Sequence, residues 1–231
     1  MSLIHKIWKI TKGTIAKRDI QKSFALNELD KKLALYINFE NGFFIEAGAN
    51  NGVQQSNTLY FELYRGWRGL LIEPIPDLAT KCKENRPNAI VENCALVSSD
   101  YTNTLIEMEY CNLMSTVKNG LNSLEPDKHI ERGKQFLHEN EDVYTIHVPA
   151  KALSAVLHKH SIHHIDLLSL DVEGFEAQVL KGIDFDHHRP KFMLIEVRDK
   201  EEIESIIRPL YKPIAILNIS DSFSDILYEL K

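Results

Sequence analysis

The chain has 231 residues, enough for one α/β domain with a sheet covered on both sides and short for two. An apolar fraction of 44% and a charged fraction of 26% are ordinary for a globular fold, and a formal net charge of −6 argues against nucleic-acid binding by general phosphate attraction. No run approaches the ~20 apolar residues of a transmembrane helix, and Cys82, Cys94 and Cys111 lack CxxC spacing, so reduced thiols in a cytoplasmic protein are expected rather than a disulfide framework or a zinc site.

The stretch Ser2 to Lys12 is basic and places Leu3, Ile4, Ile7, Trp8 and Ile10 at helical spacing. It lacks the uncharged apolar core of a signal peptide and reads as a helix within an N-terminal helical extension over residues 1–40. A single domain is expected over 41–231. Continuous apolar runs then end, one after another, in polar or glycine-rich turns. Phe43-Phe44-Ile45 leads to Glu46-Ala47-Gly48, Leu70-Leu71-Ile72 to Glu73-Pro74, and Ala89-Ile90-Val91 to Asn93-Cys94-Ala95. Further on, Ile165 to Leu170 ends in Asp171 and Phe192 to Ile195 ends in Glu196. Buried parallel strands have this signature.

Helical patterns separate the runs, over Asn57 to Tyr64, Pro76 to Asn85, Lys151 to His160, Phe175 to Lys181 (stopped by Gly182 as a C-cap) and Glu201 to Leu210. Alternation of this kind predicts an α/β fold, a mostly parallel sheet with helices on both faces. Pro213 to Ile219 and Phe223 to Tyr228 read as a C-terminal antiparallel hairpin. Thr102 to Tyr110 is an extra strand. The polar stretch at about 111–144 has no sustained period and reads as a lid or substrate insertion.

Five strand ends carry chemistry. Glu46 to Gly52 follows a strand, and its two glycines, Gly48 and Gly52, permit a sharp turn and close ligand approach. It is neither G-x-G-x-x-G nor a P-loop. An acidic opening suits a cationic group such as an amine or sulfonium better than a pyrophosphate. Glu73, at the end of the next strand, can accept from both hydroxyls of a ribose, and Asn93-Cys94-Ala95 can flank an adenine. Asp171-Val172-Glu173-Gly174 and Glu196 end two further strands. These carboxylates can hold a hard divalent cation, act as a general base, or cap the next helix. The histidines match no zinc spacing; His129, His138 and His147 could each bring a base from the insertion, and the sequence selects none.

The residues Phe44 to Gly52, Ser56-Asn57-Thr58, Gly66 to Pro74, Asn85-Arg86, Asn93 to Leu96 and Asp166 to Glu176 resemble the FkbM family of methyltransferases. The resemblance runs from about Asn41 to Val197. It departs from the family at Glu46, where Asp is usual, and at Ser169, where Lys is more frequent. It implies a class I methyltransferase (Rossmann-like) fold with a seven-stranded sheet whose last strand is antiparallel. It implies O-methylation with S-adenosylmethionine held by Glu46, Gly48, Ala49, Asn50, Gly52, Ser56, Glu73, Asn93 and Ala95. Asp171 and Glu173 would then be catalytic, and by analogy with other O-methyltransferases Asp171, Glu173 and Glu196 would hold Mg2+ or Mn2+. The polar insertion favours a sugar or glycan acceptor over a small polyketide-type product. A non-catalytic S-adenosylmethionine-binding module is the reading from another class. The assembly, a homo-oligomer included, is left open.

Overall fold

The continuous apolar runs lie side by side as parallel strands. The structure, a computed structural model, describes residues 21–118, 131, 133–137 and 142–231. The helix expected over Ser2 to Lys12, together with His129 and His138, falls outside the described residues. In chain order the strands are β1 (Phe43–Ala47), β2 (Arg68–Ile72), β3 (Ile90–Glu92), β4 (Ala95–Val97), β5 (Leu105–Tyr110), β6 (Thr116–Val117), β7 (Tyr144–Ala152), β8 (Leu167–Leu170), β9 (Phe192–Val197), β10 (Tyr211–Ile219) and β11 (Ser224–Leu230). The helices are α1 (Leu29–Tyr36), α2 (Leu59–Arg65), α3 (Pro76–Asn85), α4 (Leu153–Lys159), α5 (Glu176–Lys181) and α6 (Lys200–Ile207).

The main sheet has seven strands in the order β10-β11-β9-β8-β1-β2-β3. Its β1–β2, β2–β3, β1–β8 and β8–β9 pairs are parallel, and β11 runs antiparallel to both β9 and β10. The chain moves outward from β1 through β2 to β3, then returns to β8 on the other side of β1. That reversal opens a crevice between the carboxyl ends of β1 and β8, where open α/β sheets bind ligands.

Two apolar layers cover the sheet. Alternate residues Phe44, Leu71, Leu194 and Leu227 pack against Leu29, Leu33, Tyr60, Phe61 and Cys82 of α1 to α3. The other face, with Ile45, Leu70, Leu168 and Ile195, packs on Leu153, Val156, Val179, Leu180, Ile203 and Ile207 of α4 to α6. Burial on both faces is why these strands read as unbroken apolar runs.

A second sheet, in the order β4-β7-β5-β6, was not foreseen. It takes Ala95 to Val97 away from β3, which ends at Glu92, so the turn expected to close the third strand opens a new one. Lys151 and Ala152, expected in a helix, are the last residues of β7, and α4 begins at Leu153. Gly182 does end α5, but at φ −88° rather than in the left-handed region. A side chain there is excluded because its Cβ would meet the Val97 carbonyl oxygen at 2.2 Å. Among the described residues, no helix is long and apolar enough to cross a membrane.

Candidate active site

The loop after β1 is held from two sides. Gly48 (φ 84°) and Asn50 (φ 48°) turn the backbone through the left-handed region. The Gly48 and Ala49 amides both donate to the Ile72 carbonyl, 3.1 Å away, which docks the loop on the end of β2. The Asn50 amide donates to Glu73 Oε2 at 2.8 Å, and the Ile75 amide donates to Glu73 Oε1 at 2.9 Å. Each Glu73 oxygen thus keeps a lone pair for a further donor. Burial, with only these two amides to offset it, pushes the Glu73 carboxyl up to about 8.

Glu46 is gripped by the turn that follows it. Its Oε2 accepts from Ser56 Oγ (2.9 Å) and Thr58 Oγ1 (2.6 Å), and its Oε1 from the Asn57 amide (2.7 Å). Arg86 Nη1 stands 3.8 Å from Oε2. The carboxylate is therefore engaged by the chain itself and organises the start of α2. Arg86, fully buried, also reaches Glu62 at 2.6 Å and the Gly52 carbonyl at 2.9 Å. Burial raises the Glu46 carboxyl while Arg86 and the three hydrogen bonds lower it.

One cleft joins the expected pieces. Its walls include Glu46, Gly48, Ala49, Asn50, Ser56, Glu73, Ala95, Asp171 and Glu173. Met108, Leu113 and Val117, from the second sheet and its flank, close the apolar side, and Thr116 Oγ1 ties that sheet to the Glu173 carbonyl at 3.1 Å. Two expected contacts are absent from the lining. Gly52 (φ 78°) faces inward, where a Cβ would crowd Arg86 Cγ at 3.0 Å. Asn93 Nδ2 donates to the carbonyls of Glu73 and Pro74, both at 2.8 Å, so it braces the Glu73 turn. Of the expected histidines, His147 lies on β7 opposite Glu107 and outside the lining.

The floor is acidic. Register aligns Glu46 with Ser169 and Leu194, and Glu196 with Asp225, so these acids follow one face of the sheet along its carboxyl edge. Asp171 does not cap α5; that helix has no side-chain cap. Glu176 instead accepts from the Val172 and Gly174 amides, both at 3.0 Å, and shapes the turn in which Glu173 adopts φ 55°. Arg198, which sequence reasoning missed, supplies a fixed cation. Its Nη2 lies 2.7 Å from Glu173 Oε2 and 2.5 Å from Glu196 Oε1, and its guanidinium sits over the Phe223 ring at 5.5 Å. Ser169, in place of the family's more frequent Lys, accepts from Asn57 Nδ2 at 3.1 Å.

Of the expected carboxylate trio, Asp171 and Glu196 lie close to Glu176. Asp171, Glu176 and Glu196 each offer an oxygen, all within 4.8 Å of one another, while Glu173 is turned toward Arg198. Burial and the surrounding acids push Asp171 up to about 7 and Glu196 up to about 11, against the opposing pull of Arg198.

The strand order, closed by an antiparallel last strand, defines a class I methyltransferase-like α/β fold of the S-adenosylmethionine-dependent kind. The family profile described as Methyltransferase FkbM domain matches residues 46–231, and the chain belongs to the FkbM methyltransferase family. Solved structures similar to it include the human methyltransferase 10 domain containing protein (TM-score 0.48, 12% identity, 100% of this chain and 99% of that one). A Burkholderia thailandensis 1,6-didemethyltoxoflavin-N1-methyltransferase with bound 1,6-didemethyltoxoflavin and S-adenosylhomocysteine aligns at TM-score 0.43 and 10% identity, over 98% and 83% of the two chains. MtNAS in complex with MTA and tNA aligns at TM-score 0.46 and 10% identity over 88% of this chain, which spans 59% of the MtNAS length. No curated protein matches the chain.

Proposed function

We propose that this cleft binds S-adenosylmethionine and transfers its methyl group to a hydroxyl of a sugar or glycan. The observation that carries the reading is the single cavity shared by the Gly48–Asn50 turn, Glu73 and the Asp171–Glu173 turn. The ribose hydroxyls donate to the two lone pairs left on Glu73. The adenine lies toward Ala95, Met108 and Val117, an apolar slot. The amino-acid end lies along Gly48, Ala49 and Ser56, with Glu46 acting through the hydrogen bonds that hold Ser56 to Thr58 in place.

The acceptor enters beside Asp171. Its hydroxyl oxygen attacks the methyl carbon in line, the carbon–sulfur bond breaks as the oxygen–carbon bond forms, and the hydroxyl proton passes to the Asp171 carboxylate. Asp171 suits that task because it lines the cleft and Arg198 is bound to its neighbours Glu173 and Glu196. All three cysteines are free and buried, which suits a reducing compartment such as the cytoplasm.

A second reading, a small and less polar natural-product acceptor, is favoured by Met108, Leu113, Val117 and Phe175 in the lining. Methyl transfer to a panel of glycans and polyketide-type alcohols, read by mass, separates the two. Binding without transfer to any of them would favour a non-catalytic module. Calorimetry tests the cofactor: Glu73→Ala should weaken S-adenosylmethionine at least about tenfold, and unchanged affinity would remove Glu73 from the site.

A further inference from the structure

We infer that Gln55 holds the amino-acid end of the cofactor, its side-chain amide donating to the α-carboxylate. The inference deepens the proposed cofactor reading and rests on it. The composition of the cleft wall raises the question. Among the described residues that line it there is no Lys, Arg or His, while Glu46, Glu73, Asp171 and Glu173 are all present. S-adenosylmethionine carries a carboxylate, and a wall of this kind can receive it only through neutral donors.

Most donors around the first turn are already engaged. The Gly48 and Ala49 amides go to the Ile72 carbonyl, and the Asn50 amide to Glu73, which ties Asn50 to the ribose end. The Asn51 amide donates to Asn50 Oδ1 at 2.7 Å, and the Gly52 amide to the Ala49 carbonyl at 2.8 Å. Val53 and Gln54 both donate to Asn51 Oδ1, at 3.0 and 2.9 Å. The Ser56 amide meets the Val53 carbonyl, and the Asn57 amide meets Glu46. The Ser56 hydroxyl donates to Glu46 and accepts from the Thr58 and Leu59 amides. From Gly48 to Asn57, Gln55 is thus the one residue whose backbone amide and side-chain amide both lack a partner among the described residues.

The backbone singles out the same residue. Gln55 stands at φ 58°, in the left-handed region. Asparagine, as at Asn50, tolerates that region; glutamine gains nothing from it, and glycine would fit it without strain. Strain of this kind collects at ligand sites, where the surroundings hold it. Here it sets Gln55 in the cleft wall next to Ser56, where the proposed amino-acid end lies. A primary amide suits that group: Nε2 has two hydrogens for the carboxylate, and Oε1 accepts from the adjacent ammonium.

The test is calorimetry on the full chain with two probes, S-adenosylhomocysteine and 5′-methylthioadenosine. The second keeps the nucleoside and the sulfur and lacks the amino-acid end. Gln55→Gly removes the side chain and suits the left-handed backbone, so its melting temperature should equal or exceed that of the wild type. Its affinity for S-adenosylhomocysteine should fall about tenfold or more, while that for 5′-methylthioadenosine holds. Gln55→Glu keeps an acceptor but replaces the donor with a negative charge, and should lose at least as much. Gln54→Ala should leave both affinities unchanged. Equal losses for the two probes in Gln55→Gly, unchanged S-adenosylhomocysteine binding in it, or a loss found only in Gln54→Ala overturns the assignment, and each leaves the methyltransferase reading standing. A wild-type chain that takes up neither probe at millimolar concentration would overturn the proposed cofactor and this assignment together.

Discussion

Gly48 and Asp171 meet backbone to backbone: a Cβ on Gly48 would lie 1.8 Å from the Asp171 carbonyl oxygen. The turn after β1 and the turn after β8 are thus in van der Waals contact across the switch point of the sheet. Gly48→Ala must break that contact and also leave a φ of 84° that L residues avoid. The substitution should cost about 3 kcal/mol or more, measured by urea unfolding, and should abolish S-adenosylmethionine binding. A variant as stable as the wild type would show that the two turns can separate without consequence.

Proton uptake at Glu73 should govern cofactor affinity. Burial holds its carboxyl up at about 8, well above the ordinary carboxylate value, so the free site is mostly protonated at neutral pH. Ribose hydroxyls donate to the charged form, so binding releases a proton. Affinity should then rise about tenfold per pH unit from pH 6 and level off near pH 8. Calorimetry across that range is the check, and Glu73→Gln should flatten the slope.

Arg86 is the internal counter-ion of the first turn. It is fully buried, reaches Glu62, the Gly52 carbonyl and the hydroxyls of Ser56 and Thr58, and stands near Glu46. Arg86→Ala would strand two buried carboxylates and should cost about 3–5 kcal/mol. The double change Glu62→Gln with Arg86→Met should recover part of that loss in a thermal melt, because fewer charges are left unpaired.

Acid stability should depend on Glu92. Burial alone would raise its carboxyl, but hydrogen bonds from Lys151, Lys159 and His160 together outweigh burial and hold it down at about 2. Its contribution is present above the ordinary glutamate value and is lost as pH falls from about 4.5 to 2. Glu92→Gln should therefore lower stability at pH 7 and make the melting temperature less steep in pH over that acid window.

The parallel strands were legible because both of their faces are buried. Ile45, Leu70, Leu168 and Ile195 alternate with Phe44, Leu71, Leu167 and Leu194, and all are apolar. The second sheet was not. β7 leaves most of its residues at least partly exposed and pairs with β4 and β5, which come much earlier in the chain, so no local pattern announces it. In the site, the acids at the strand ends were legible as a set, but their partners were not. Glu46 lines the cleft, and the hydrogen bonds it accepts from Ser56, Asn57 and Thr58 are set by how the following turn folds back. Arg198 carried no motif, and only the three-dimensional approach of β9 to the turn after β8 gives it a role. Glu176 sits inside the quoted motif and begins α5, as the helical pattern predicts, but nothing in spacing alone distinguishes a carboxylate pointing to its own loop from one pointing to solvent.

The acidic edge of the sheet has a consequence for turnover. On the proposed reading the cofactor arrives with a positive sulfur and leaves as a neutral thioether. Glu46, Glu73 and Asp171 line the cleft, so whichever of them is ionised favours the incoming form and loosens its grip once the charge is gone. The spent cofactor should then leave more readily than the fresh one, and the enzyme would be comparatively insensitive to inhibition by its own by-product.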